Sequence, residues 1–346
     1  MKTFSKQVLS FSLFVLACAV CAGEVVFIPG WFTEKTRTED YETRLRKIYP
    51  GETVTVLTWQ SNSLNMNHVI ENADAFADSV AEFIKKKTEN EQAELVLIGH
   101  SLGGRIVAKA ASDLAENKIA VRRIVLLGAA LDFDTDLNDM IKCSRDPVIN
   151  VFSRNDSVLK YLYGNWKQKF AIGFSGAETI PPEHFVQFRI TASEPEISNL
   201  NFISAALESI IHFSEIYLAE VERIQNGELK PYKPKYDYSD VVITKSILSV
   251  PSGWMIPPVF QMDLLDSHAE WVLAKTDVKW KTRRKNGEQK EHRIPVYFVI
   301  DPYGRIALWN LLRSPLESRF QELRMRIKPL PDPDAVNPSP AASAPE

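Results

Sequence analysis

The stretch LVLIGHSLGGRIVAK, from Leu95 to Lys109, decides how this chain folds. Its first four residues are apolar, as in a strand that is buried on both faces of a sheet. The apolar residues that follow recur at intervals of four, at Leu102, Ile106, Ala110 and Leu114. This spacing predicts a helix with one apolar face, which can pack back onto the sheet.

Ser101 lies at the turn between this strand and this helix, in the pattern Gly99-x-Ser101-x-Gly103. The glycines allow the backbone to turn sharply and the helix to approach the strand, so the serine hydroxyl is raised above the sheet at a helix N-terminus. This is the nucleophile-elbow pattern, in the strand-turn-helix context that it requires. The alternative is a tight turn that contains an inert serine.

Short apolar strands on either side of this stretch predict the fold class. We expect them at residues 24–28, 53–59, 123–127, 148–152 and 185–190, with helical patterns between them. Buried strands that alternate with helices imply an α/β fold with a mostly parallel sheet and helices on both faces. Ligands bind to such sheets beyond the carboxyl ends of the strands.

Length and charge set limits on the partners of this chain. With 346 residues, it can form one large domain and a smaller one. A net charge of −3 suggests neither a nucleic acid partner nor attraction of the body to an anionic membrane surface. The sequence contains no sign of its oligomeric state.

The N-terminus is typical of a secretory signal. Lys2 and Lys6 precede an apolar run over residues 8–20, which is short for a membrane span, and small residues follow. We interpret residues 1–23 as a signal peptide and expect a periplasmic or secreted protein. The segment VLAC, ending at Cys18, also resembles a lipoprotein signal imperfectly, and lipidation there would tether the protein to a membrane. With three cysteines in the chain, we expect no disulfide framework.

The sequence pattern changes near its middle. We expect an α/β domain at residues 24–225, a Pro-, Tyr- and Lys-rich linker or wrapping segment at 226–270, and a small α+β satellite at 271–328. The satellite pattern predicts three strands and one helix, with a hairpin turn at Asn286-Gly287. Residues 329–346 form a disordered Pro-, Ala- and Ser-rich tail that cannot build a core.

A serine nucleophile needs a base, and the base needs an acid that orients it. Of the six histidines we select His212, which follows the last predicted strand and a helical segment. Its alternative role is that of an ordinary core or surface histidine. His184 precedes a strand and falls at the wrong edge of a parallel sheet. The remaining histidines lie in the elbow, at a helix start or late in the chain: His100, His68, His268 and His292.

Asp156 is the candidate acid. It follows the strand at 148–152 and falls between Ser101 and His212, which is the order that accompanies an elbow of this type. It could also be a helix N-cap. Three competing carboxylates follow the preceding strand, where they could cap the next helix: Asp132, Asp134 and Asp136.

Acyl transfer also needs hydrogen-bond donors for an oxyanion. The candidates are the backbone N–H of Leu102, directly after the nucleophile, and that of Trp31, in the loop after the first strand. Trp31 could equally serve as an aromatic lid residue. These residues imply no metal and no organic cofactor.

The chain resembles the α/β-hydrolase superfamily of serine esterases and lipases over about residues 24–224. Three segments are similar to a subgroup of poorly characterised hydrolases that includes eukaryotic transmembrane and coiled-coil domain proteins: SRNDSVLKYLYG, AIGFSG and IIHFSEIYL. The resemblance implies that Asp156 and His212 are the triad partners of Ser101. The chain departs from lipases at IPGW, residues 28–31, where lipases often have His-Gly.

We therefore expect an exported serine hydrolase that cleaves a carboxylic ester, on a small or lipid-like molecule, through an acyl-enzyme. Ser101 would attack the ester, His212 would carry the proton and Asp156 would orient His212. Two alternatives keep the same fold. One is a non-catalytic binding or interaction protein of the cell envelope, and the other is an acyltransferase.

Overall fold

The computed structural model describes residues 23–31, 37–61, 63, 65–91, 94–167, 169–177, 183–191, 202–237, 263–283, 288–303 and 306–330. Almost all of the predicted signal peptide and tail lie outside the described residues. The predicted Asn286-Gly287 turn and the middle of the predicted linker do so as well.

Six parallel strands form the central sheet, in the order β2-β1-β3-β4-β5-β6. They are β1 (Glu24–Ile28), β2 (Thr53–Val56), β3 (Leu95–His100), β4 (Arg123–Leu127), β5 (Val148–Phe152) and β6 (Phe185–Arg189). The predicted α/β class and the parallel sheet are therefore confirmed.

Helices cover both faces of this sheet. The main ones are α1 (Thr38–Ile48), α2 (Met66–Glu91), α3 (Leu102–Glu116) and α4 (Asn138–Cys143), followed by the short α5 (Gly164–Lys167) and α6 (Ile172–Ser175) and the long α7 (Phe202–Gln225). Successive side chains of a strand point to opposite faces. Thus Val26 and Ile28 of β1 share a core with α2 and α3, whereas Val25 and Phe27 share one with α1 and α7.

Helix α7 differs from its prediction. The sequence pattern predicts two helices that meet at His212, but α7 runs unbroken from Phe202 to Gln225. This stretch contains no glycine or proline, so nothing in it interrupts a helix. Its buried stripe also continues past His212, through Phe213, Tyr217 and Val221. His212 therefore lies within a helix and not between two helices.

The C-terminal satellite contains an antiparallel sheet in the order β11-β10-β9-β8. Its elements are β8 (Asp263–His268), β9 (Trp271–Arg283), β10 (Gln289–Ile300), β11 (Ile306–Asn310) and the helix α8 (Arg313–Arg326). The prediction of three strands is wrong because β8 falls inside the segment interpreted as a linker. β8 is a mostly exposed edge strand of sequence DLLDSH, so its apolar pattern is weak.

The start of the predicted linker connects the two parts of the molecule. The backbone N–H of Tyr232 donates to the carbonyl oxygen of Gln187 in β6 at 2.6 Å. A few residues later, β7 (Tyr236–Asp237) pairs with β12 (Lys328–Pro329), which follows α8. This segment therefore contacts the central sheet first and the satellite second.

Candidate active site

Ser101 occupies a strained turn between β3 and α3. Its backbone has φ 53° and ψ −121°, in a region that non-glycine residues rarely adopt. Three backbone hydrogen bonds hold it there: its N–H donates to Leu127 at 2.9 Å, and its carbonyl oxygen accepts from Gly104 at 3.0 Å and Ala130 at 2.9 Å. The predicted strand, sharp turn and helix are confirmed at this position.

The turn lies where the strand order reverses. The chain passes from β1 outward to β2 and then returns across β1 to β3, so the carboxyl ends of β1 and β3 form the switch point at which a parallel sheet of this kind is expected to have its ligand crevice. The loop after β1 passes close to the elbow, since a Cβ on Gly30 would lie only 2.7 Å from Cβ of Ser101. A Cβ on Gly103 would lie 2.0 Å from the carbonyl oxygen of Ile28. Both glycines permit this close approach.

Two indole groups fix the loop that carries the first candidate oxyanion donor. Trp31 is buried and its Nε1 donates to the carbonyl oxygen of Ser63 at 3.0 Å. Trp59 donates to the carbonyl oxygen of Pro29 at 2.8 Å. The second candidate donor, Leu102, is the first residue of α3, where a backbone N–H has no acceptor within the helix. The two candidates thus follow β1 and β3, the strands on either side of the switch point.

Asp156 is buried in the loop after β5, with 3% of its surface exposed. Its Oδ1 accepts the backbone N–H of Leu159 at 2.9 Å, so it caps the π-helical turn Val158–Tyr163 that follows. Its Oδ2 accepts the hydroxyl of Tyr217 at 3.1 Å. Asp156 therefore has the capping role that the sequence allowed. Both oxygens of its carboxylate accept a hydrogen bond.

Tyr217 is a buried residue of α7 that no sequence motif marks as part of the site. Burial, together with the neighbouring Asp156 charge, raises the pKa of its phenol well above the ordinary value, so the hydroxyl stays a donor. The available signal was general: a tyrosine on the buried face of a helix must find a partner for its hydroxyl. The sequence could not indicate that the partner is Asp156.

Helix α7 also contacts the elbow strand. His100 Nδ1 lies 3.3 Å from Oγ of Ser214, and the hydroxyl of Ser214 donates to the carbonyl oxygen of Ile210 at 2.8 Å. Because a hydroxyl has one hydrogen, Nδ1–H of His100 is then the donor to Ser214. Burial lowers the pKa of His100 to about 4. His100 is thus a packing residue that is neutral near pH 7.

His212 lies on the same helix as these two contacts. It is half-buried, and its ring centroid lies 5.9 Å from that of Phe213. It precedes Ser214 by two residues and Tyr217 by five, which is roughly 3 Å and 7.5 Å along a helix axis. A single helix therefore carries all three residues, but at 3.6 residues per turn His212 lies roughly 200° around the axis from Ser214 and roughly 140° from Tyr217, on a different face from the two contacts.

The competing candidates have other partners. Asp136 Oδ1 accepts the backbone N–H of Asn138, the first residue of α4, Asp134 pairs with Lys169, and Asp132 accepts the hydroxyl of Tyr163. The donor–acceptor distances of these three contacts are 2.9, 2.8 and 2.6 Å, in the same order. The remaining histidines lie before β6, in α2 and in the satellite strands: His184, His68, His268 and His292.

Two absences concern only the part of the chain that the structure describes. No group of His, Cys, Asp and Glu side chains is arranged to hold a metal ion there. No helix in these ranges is both long enough and apolar enough to cross a membrane.

Residues 53–184 match the model of a family described as "Protein of unknown function (DUF726)", and no curated protein matches the chain. Similar solved structures include the type II thioesterase YbtT of the yersiniabactin NRPS/PKS pathway, at 10% identity and TM-score 0.32, covering 58% of this chain and 94% of that one. An esterase of Pyrobaculum calidifontis has 12% identity and TM-score 0.31, covering 60% and 78%. A putative α/β-superfamily hydrolase of Xanthomonas campestris has 13% identity and TM-score 0.32, covering 57% and 99%. The chain has the α/β-hydrolase fold, because its central sheet has the strand order of that fold and Ser101 lies in the elbow between β3 and α3.

Proposed function

We propose that this protein is a serine hydrolase that cleaves carboxylic esters through an acyl-enzyme. The observation that carries the proposal is the backbone conformation of Ser101, at φ 53°. A side chain in the left-handed region costs roughly 1–2 kcal/mol, which a glycine would avoid. Strain of this kind is concentrated at functional sites, and here it presents a hydroxyl at the crevice between β1 and β3.

The proposed mechanism assigns one task to each group. Ser101 Oγ attacks the ester carbonyl carbon while His212 takes its proton, and His212 then gives this proton to the leaving alkoxide. The N–H groups of Trp31 and Leu102 stabilise the oxyanion that forms. Asp156 orients His212 and stabilises its positive charge. Water then attacks the acyl-enzyme in the same way, with His212 as the base, and releases the carboxylic acid product and free Ser101.

Helix α7 joins the two parts of the structure that carry the proposed nucleophile and the proposed acid. The hydroxyl of Tyr217 holds Oδ2 of Asp156, and Ser214 contacts the residue before Ser101. His212 is therefore carried by the helix that joins the elbow to the acid loop. The loop after β5 is also the place where the Ser, Asp, His order puts the acid.

An ester panel of graded acyl length tests the proposal. We expect the wild type to hydrolyse part of the panel and Ser101→Ala to lose this activity. The matched control is Ser112→Ala, which removes another half-buried hydroxyl of α3 that donates to the carbonyl oxygen of Ala108. Undiminished hydrolysis by Ser101→Ala would contradict the mechanism. Preferential formation of a new ester with an added alcohol would instead identify an acyltransferase.

We also infer that the protein is exported, on the signal-like pattern of residues 1–23. Cell fractionation and mass spectrometry of the mature N-terminus test this inference. A chain that begins near residue 24 supports a cleaved signal, whereas a diacylglyceryl modification of Cys18 supports a membrane tether. An intact N-terminus in the cytosol contradicts both.

A further inference from the structure

The hairpin between β8 and β9 has an unusual turn. Its two central residues, Ala269 and Glu270, both have positive φ, 49° and 67°. Two-residue hairpin turns of this kind strongly favour Asn-Gly, because ordinary side chains are strained there. Glycine would relieve the strain at position 270, but it would also remove a carboxylate. Strained backbone is concentrated at functional positions, so the contacts of the Glu270 carboxylate are the feature that could account for the strain.

Glu270 forms ion pairs with two arginines of the α/β domain. Its Oε2 lies 3.1 Å from Nη1 of Arg154, and its Oε1 accepts from Nη1 of Arg189 at 2.9 Å. The hydroxyl of Tyr232 lies 3.4 Å from Oε2. The next residue in the strand, Trp271, is buried in the satellite core and fixes the base of the turn. The tip of the hairpin is thus anchored on both sides.

Arg154 belongs to the loop that carries the candidate acid. The loop Ser153–Asp156 is a tight turn, in which Asp156 N–H donates to the carbonyl oxygen of Ser153 at 3.2 Å. Ser153 N–H in turn donates to the carbonyl oxygen of Gly173 at 3.0 Å. Arg154 lies two residues before Asp156 within this turn. An interaction that restrains the Arg154 side chain therefore restrains a residue of the same turn as Asp156.

The environment of the pair makes it stronger than an ordinary surface ion pair. The side chains of Arg154 and Glu270 are only 17% and 25% exposed, so water screens their attraction less than at the surface. Glu270 also compensates two arginines at once. If Glu270 were replaced by a neutral residue, the positive charges of Arg154 and Arg189 beside the acid loop would lose this counterion.

We propose that Glu270 is a positioning residue which, through Arg154, holds the loop that carries Asp156. The satellite then completes the active site from outside the α/β domain. This inference rests on the proposed function, because it assigns Asp156 a role in the reaction.

Glu270→Gln keeps the shape of the side chain and removes its charge. We expect kcat to fall roughly tenfold, which is less than the hundredfold that a 1 Å displacement of a reacting group can cost. KM should change less than about twofold, because the crevice between β1 and β3 is untouched. Glu270→Asp retains the charge and should restore part of the lost kcat. The control Glu317→Gln removes an exposed ion pair with Arg313 within α8 and should change neither constant.

Hydrogen–deuterium exchange of peptides that cover residues 153–160 tests the holding of the loop without using activity. We expect faster exchange in Glu270→Gln than in the wild type or in Glu317→Gln. In addition, Glu270→Gln should have a smaller effect on exchange and on kcat in an Arg154→Met background than in the wild type, because the contact between Glu270 and Arg154 is already broken there. Circular dichroism of each variant verifies that it is folded.

The outcomes separate this inference from the proposed function. Faster exchange together with a lower kcat supports the inference. Unchanged exchange in residues 153–160, or faster exchange with an unchanged kcat, overturns the positioning role. If the wild type hydrolyses no ester and its Ser101 reacts with no fluorophosphonate, the proposed function fails and Glu270 positions nothing for it. The exchange data then still decide whether Glu270 holds the loop.

Discussion

The hydroxyl of Tyr217 donates to Oδ2 of Asp156 at 3.1 Å, and both groups are buried. This bond joins helix α7, which carries His212, to the loop after β5. Two elements that are 61 residues apart in sequence are thereby fixed relative to each other. This contact therefore fixes α7 against the loop that carries the proposed acid.

Tyr217→Phe removes that donor and leaves a buried carboxylate oxygen with one partner fewer. We expect the free energy of unfolding to fall by about 2 kcal/mol, the scale of a hydrogen bond to a charged group. Urea unfolding measures this loss. The matched control is Tyr41→Phe, which makes the same chemical change in the same apolar cluster. Equal losses in the two variants would show that the bond to Asp156 contributes nothing specific.

The burial of His100 predicts a pH dependence of stability. Its pKa is lowered to about 4 in the folded protein, against an ordinary value of 6.5. Between these values the unfolded chain binds a proton that the folded protein does not, so stability is lost as the pH falls from 6.5 towards 4. The difference between the two pKa values corresponds to about 3 kcal/mol.

Urea unfolding at a series of pH values measures this effect. His100→Gln should show a flatter decline of stability below pH 6.5, because the residue that takes up the proton on unfolding is gone. His68→Gln is the control, since the His68 side chain is 54% exposed. A decline in His100→Gln as steep as in the wild type would assign the acid sensitivity to other groups.

The close contact at Gly103 predicts a large effect of one methyl group. In Gly103→Ala the Cβ would meet the carbonyl oxygen of Ile28, so the strand or the helix must shift, at a cost of about 3 kcal/mol. Gly51→Ala is the comparison, because φ is +88° there but nothing lies within 4 Å of a Cβ. Backbone strain alone should cost about 1 kcal/mol. Thermal or urea unfolding measures the loss of stability in both variants, and equal losses in Gly103→Ala and Gly51→Ala would contradict the predicted clash.

Cys143 should be unreactive in the folded protein. It is buried, and burial raises the pKa of its thiol to about 11, so little thiolate exists near neutral pH. A chain that begins at residue 24 contains no other cysteine. We expect a thiol-reactive disulfide reagent to modify it only after unfolding in urea. Rapid stoichiometric reaction of the native protein would show that the α4 region opens readily.

The elbow could be predicted from the sequence because its signals are local. The apolar run Leu95–Ile98, the flanking glycines and the four-residue spacing after Ser101 all act within about twenty residues, and β3 and α3 follow them closely. The fold class followed from the same kind of alternation along the chain.

The contacts around the candidate acid could not be predicted in this way. Tyr217 and Asp156 meet only because α7 packs across the sheet, and Glu270 reaches Arg154 only because the satellite folds back. Such pairs depend on the packing of distant elements, which sequence periodicity does not encode. The same holds for β8, whose pairing with β9 compensates for a weak apolar pattern. Helix α7 shows the opposite error. The sequence pattern predicted two helices that meet at one polar residue, His212, although the buried apolar stripe continues past it.

The central claim is that Ser101 is an activated nucleophile, and covalent labelling tests it most directly. Intact-mass measurement after exposure to a fluorophosphonate should show one adduct, located by peptide mapping at Ser101. Ser101→Ala should show none, and labelling of His212→Ala and Asp156→Asn should be slower by roughly a thousandfold or more. Failure of the wild type to form an adduct at Ser101, or equal labelling of Ser101→Ala, would contradict the account.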